Sequence, residues 1–106
     1  MVKKAIALLA FIAMQSASAA TVPVPKDVQT FVKNADLCDH MAGEWDNELP
    51  KTERQNIEKS ITKYCGPAKQ QLHFLQEKYK DKPAVLKVIS KHAYDSVKDY
   101  SENIGS

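Results

Sequence analysis

From Val28 to Tyr100 the apolar residues of this chain recur at steps of three and four, and no stretch alternates with period two for more than a few residues. That pattern confines the fold to helices, because only a turn of about 3.6 residues gathers such positions onto one face. Val28, Phe31, Val32, Ala35, Cys38, Met41 and Ala42 make a first stripe over residues 27–42, and Gly43 follows as a natural helix stop. A polar connection around Trp45 leads to Pro50, which suits a first helical turn because its missing N–H is not needed there. The second helix carries Ile57, Ile61, Tyr64 and Cys65, and Gly66-Pro67 ends it. A third, over residues 68–80, carries Ala68, Leu72, Leu75 and Tyr79. The fourth, over residues 84–100, carries Leu86, Ile89, Ala93, Val97 and Tyr100. Short breaks between helices imply antiparallel neighbours, so the pattern predicts an all-α domain: a small bundle of about four short helices.

The two cysteines, Cys38 and Cys65, both fall on apolar stripes, so they are expected to face each other across a helix pair. Whether they oxidise depends on the compartment, and the first nineteen residues speak to that. Lys3 and Lys4 precede an apolar run from Ala5 to Met14, and Ala17-Ser18-Ala19 supplies the small residues of a signal-peptidase site. Residues 1–19 therefore read as a cleavable signal peptide and residues 20–106 as one helical domain with a folded core over about 26–100. The apolar run is too short to span a membrane, so no stable anchor is expected. In a periplasmic or secreted setting one Cys38–Cys65 disulfide follows, contributing about 3–4 kcal/mol by closing a long loop. Thioredoxin-type chemistry would need a second cysteine with only two residues between, and neither cysteine has one.

Removing residues 1–19 takes away two lysines and leaves thirteen basic against thirteen acidic side chains, a formal charge of zero. A neutral domain has no electrostatic footprint for phosphate backbones or anionic lipid, so nucleic-acid and membrane-surface roles are not expected. No Gly-x-Ser-x-Gly elbow, His-Glu-x-x-His or phosphate-cradling glycine loop occurs, so the chain reads as a non-enzyme without a cofactor.

The densest group of reactive side chains is Cys38-Asp39-His40 with Glu44 close behind. On a helix His40 lies about 200° from Cys38, so the thiol and the imidazole point opposite ways. His40 instead shares a polar face with Glu44 and Asp36, which makes His40 with Glu44 or Asp36 the candidate metal site, against the simpler reading as a surface pair. His73 and Glu77 repeat the same spacing, and His92 borders the fourth stripe. Two aromatics stand out as candidate contacts for a partner. Phe74 lies about 140° off the stripe of its helix and is expected to be exposed, and Trp45 is expected to fold back over the end of the first helix.

Cys38-x-His40-x-x-Gly43-Glu44, followed by a polar connection, a helix containing Arg54 and Cys65 in a Lys-Tyr-Cys ending, resembles a family of small exported proteobacterial proteins to which no activity is assigned. The resemblance covers about Leu37 to Tyr79. Relatives of that kind commonly carry an aromatic residue where this chain has Met41 and an acidic one where it has Trp45. The resemblance implies a periplasmic, disulfide-stapled helical domain and no particular activity. Together these readings predict a soluble periplasmic binding or accessory protein acting through contact with another periplasmic protein, inhibitor- or immunity-like in kind. The alternative is a metal-binding protein using His40.

Overall fold

A computed structural model describes residues 23–101, all of whose regular structure is helical. The expected signal peptide, residues 1–19, lies outside the described residues. Four helices follow in order: α1 (Lys26–Glu44), α2 (Lys51–Lys78), α3 (Pro83–Lys91) and α4 (Asp95–Lys98). The expected class and number of helices hold, while the chain is divided among them differently.

Helix α1 starts where the sequence suggested. Pro25 occupies the position before the first turn with extended dihedrals (φ −57°, ψ 149°), and its carbonyl accepts the N–H groups of Val28 and Gln29 at 3.0 Å. The Gln29 bond is the first of the helical ladder, and the Val28 bond satisfies one of the donors a helix start leaves unpaired. Gly43 does not stop the helix. The chain stays helical through Glu44 and leaves at Trp45 in an extended conformation. Pro50 plays the same part for α2, accepting from Arg54 N–H at 3.0 Å.

The expected break at Gly66-Pro67 is absent, so the predicted second and third helices are one rod of 28 residues. Proline inside a helix removes one N–H bond to the carbonyl four residues back, and its ring crowds the residue before it. Here that residue is glycine, which has no Cβ for the proline ring to strike, so the helical conformation stays open to it. Continuity also keeps Ile61, Cys65, Ala68, Leu72 and Leu75 on a single buried stripe. Packing of that stripe offsets the lost hydrogen bond.

The predicted fourth helix is in turn two. α3 ends at Lys91, His92 and Ala93 make three-residue turns back to Ile89 and Ser90, and Tyr94 is extended (φ −64°, ψ 157°) before α4. A straight helix could not have sent both Tyr94 to α1 and Tyr100 onto α2. The bend does so, and Tyr100 packs beside Gly66, where a methyl group would stand 3.8 Å from the ring.

The core is one cluster drawn from every element: Val28, Phe31, Ala35 and Cys38 of α1, the five α2 positions above, Val85 and Ile89 of α3, and Val97 and Tyr100 at the end. Burying an aliphatic or phenyl side chain of this kind contributes about 1.5–3 kcal/mol before entropy is counted. Val85 takes the buried place expected for Leu86, which is only partly covered. α1 and α2 run antiparallel, and the Cys38–Cys65 disulfide joins them with Cα atoms 4.7 Å apart and both residues essentially fully buried. The expected staple is therefore present. Because α2 runs on through Gly66-Pro67, Cys65 lies in the middle of that helix rather than at its end.

Candidate functional site

Helix α1 turns one stripe to the core and a row of aspartates toward the chain that follows α2. Asp27 accepts from Lys78 Nζ at 2.6 Å and from the Tyr79 hydroxyl at 2.9 Å, closing the hairpin at its open end. About two and a half turns on, Asp36 Oδ1 receives His92 Nδ1 at 2.9 Å and the Tyr94 hydroxyl at 2.6 Å. Asp39 accepts from the Ser96 hydroxyl at 2.8 Å. An ionised carboxylate only accepts, so His92 donates to it from Nδ1.

The Asp36–His92–Tyr94 cluster joins α1 to the bend between α3 and α4. Burial raises the Asp36 carboxyl, but the Tyr94 and His92 contacts outweigh it and hold the carboxyl below the ordinary value of 3.8. The converse acts on Tyr94. Its hydrogen bond to Asp36, with burial and the Asp39 charge adding, pushes the phenol up to about 12. For Asp27 the Lys78 hydrogen bond dominates and lowers the carboxyl, against some burial and with help from Tyr79.

Beside the cluster His92 also lines an open, mostly apolar groove with Val24, Gln29, Val32 and Val88. The groove lies between the extended entry to α1 and the face of α3, and Gln29 Nε2 braces that entry by donating to the Val24 carbonyl at 2.8 Å.

The expected site residues are scattered over three places. Asp36 is taken up by His92 and Tyr94, while His40 and Glu44 lie exposed further along α1. Among the described residues no three His, Cys, Asp or Glu side chains are grouped to hold a metal ion. His73 is exposed, and its expected neighbour Glu77 pairs with Lys80 at 3.1 Å. Trp45 is half-buried against the core and its indole N–H donates to Glu58 at 3.0 Å, so it folds back onto α2. Phe74 is the one large hydrophobic side chain left exposed among the described residues, at 62%. Lys78 Nζ lies 5.8 Å from the centre of its ring and 5.3 Å from that of Tyr79, within cation–π range of both.

Sequence reasoning placed Phe74 outside the core and missed the Asp36 cluster. Its members are 56 and 58 positions apart, and only the bend after Lys91 brings them together. The available hint was His92 at the edge of a stripe. Tyr94, two residues on, gave none.

No helix among the described residues is long and apolar enough to cross a membrane. The chain matches no family model, no curated protein and no solved structure.

Proposed function

We propose that this chain is a soluble periplasmic accessory protein, without catalytic activity, that works by binding another periplasmic protein in the manner of an inhibitor or immunity protein. The exposed Phe74 ring carries the reading. An aromatic side chain at 62% exposure, fixed on the outer face of a 28-residue helix, loses little entropy when a partner covers it. The export-type leader and the neutral mature chain fit a partner in the same compartment that is found by shape and apolar contact rather than by charge. The stapled α1–α2 pair supplies the stiff platform such a contact needs.

The test is site-specific photocrosslinking in cells, with a photoreactive phenylalanine analogue at position 74 and, as control, at the exposed Lys87 of α3. A discrete adduct at 74 that is absent at 87 is the expected result. Phe74→Ala should then weaken binding of the identified partner by at least about thirtyfold, the equivalent of a 2 kcal/mol hot spot. The same adducts at both positions, or none at either, contradict the reading.

A further inference from the structure

The cavities and the apolar groove name no occupant, whereas the polar ties of the C-terminal segment share one chemistry. Every side-chain hydrogen bond from residues 83–100 to α1 ends on an aspartate: His92 and Tyr94 on Asp36, and Ser96 on Asp39. To α2 the segment offers only a backbone acceptor, the Tyr100 carbonyl, which takes Lys69 Nζ at 2.7 Å. The α1–α2 pair has an aspartate tie of the same kind only at its open end, where Asp27 takes Lys78 and Tyr79. At its middle it has a covalent bond and an amide pair, Asn34 to Gln71 at 3.1 Å, neither of which depends on proton concentration.

We infer that residues 83–100 form an acid-released clasp: protonation of Asp36 frees α3 and α4 from the hairpin, while the Cys38–Cys65 bond keeps α1 and α2 together. Two donors converge on a single oxygen, Asp36 Oδ1, and both bonds are charge-assisted. A protonated carboxyl is a weaker acceptor, so on protonation both bonds lose their charge assistance. The segment buries four core residues, Val85, Ile89, Val97 and Tyr100, which makes it a natural unit of partial opening.

Of the three side-chain ties from the segment to α1, Asp36 carries two. From the segment packed against α1, His92 and Tyr94 reach it. Asp95 and Lys98 of α4 pair with each other at 3.6 Å, and Lys69 of α2 is spent on the Tyr100 carbonyl. Asp39, on α1 itself, takes Ser96. Because the contacts hold Asp36 below its ordinary value of 3.8, its contribution is complete above that pH and is lost as pH falls through the lowered one. The clasp is therefore closed at neutral pH and opens only in strong acid. The device does not depend on the partner proposed above.

Hydrogen exchange followed by mass spectrometry, on the oxidised protein from about pH 7 to about pH 2.5 and corrected for intrinsic rates at each pH, tests it. Peptides from residues 83–100 should lose about tenfold or more of their protection in one step below pH 3.8, while peptides within α1 and the disulfide-bearing middle of α2 keep theirs. In Asp36→Asn the segment should already be loosened at pH 7, and the acid step should shrink. Loss of protection in both regions in the same step, full protection down to about pH 2.5, or an unchanged step in Asp36→Asn overturns the clasp. Should Asp36→Asn fail to fold, the wild-type titration alone decides.

Discussion

At the scale of single residues, Asp36 and Tyr94 shift each other in opposite directions, and the phenol gives the cleaner readout. A group whose folded value is raised stabilises the protein fully below its unfolded value and loses that contribution as pH rises through the folded one. For Tyr94 the window opens near the ordinary 10 and closes at about 12. Alkaline titration by phenolate absorbance should therefore find Tyr94 ionising late among the four tyrosines. Asp36→Asn removes the charge and keeps an acceptor, so Tyr94 should then ionise earlier, as read by comparing titrations with and without Tyr94→Phe. An unchanged curve would mean that the hydrogen bond at 2.6 Å is not formed in solution. None of this was legible in the sequence, because a contact spanning 58 positions has no local signature. Phe74 was legible, since its angle on the helix alone sets it outside the apolar stripe. His40 and Glu44 were correctly placed together on a polar face. That face gives two exposed candidate ligands once Asp36 is engaged elsewhere, and calorimetric titration with zinc should find binding no tighter than roughly millimolar. Tighter binding abolished by His40→Ala would restore the metal reading.

At the scale of elements, the glycines show how far local rules reach. Gly43 and Gly66 were both read as helix stops, and both are helical. Gly43 faces open space in the last turn of α1, with nothing within 4 Å of an added methyl group. Gly43→Ala should accordingly raise stability by about 0.5–1 kcal/mol in chemical denaturation, the usual difference in helix propensity. Gly66→Ala should gain none of this, although Tyr100 would tolerate the methyl group at 3.8 Å. Its new Cβ would meet the Pro67 ring, the crowding that glycine avoids. A gain at position 66 equal to that at 43 would refute this account of the unbroken α2. The residue pattern did carry the needed information in another form, because Cys65, Ala68, Leu72 and Leu75 continue one stripe through the proline. Punctuation was given priority over periodicity, and burial of that stripe decided otherwise. The bend after Lys91 was missed for the opposite reason. Leu86, Ile89, Ala93, Val97 and Tyr100 fit a straight helix well, and only contacts with α1 and α2 select the bent path.

At the scale of the whole molecule, a small domain with thirteen core residues among those described has little stability to spare, and a cross-link between α1 and α2 is a large share of it. Cys38→Ser should cost about 2–5 kcal/mol, read from denaturant midpoints, and should leave a helical but protease-sensitive chain. The staple and the all-helical class were the features most legible in advance. Both follow from local period and composition, whereas the way α3 and α4 close over the hairpin depends on long-range contacts. Removal of residues 1–19, arrival in an oxidising compartment and pairing of Cys38 with Cys65 inside one chain are expected to go together. Intact-mass analysis of the protein recovered from periplasmic extract, alkylated with and without prior reduction, examines all three together. The predicted species begins at Ala20, is a monomer lighter by two hydrogens than the reduced chain, and takes up alkyl groups at Cys38 and Cys65 only after reduction. Two alkylatable thiols without reductant, a disulfide-linked dimer, or a chain that retains residues 1–19 in the cytoplasm would contradict it.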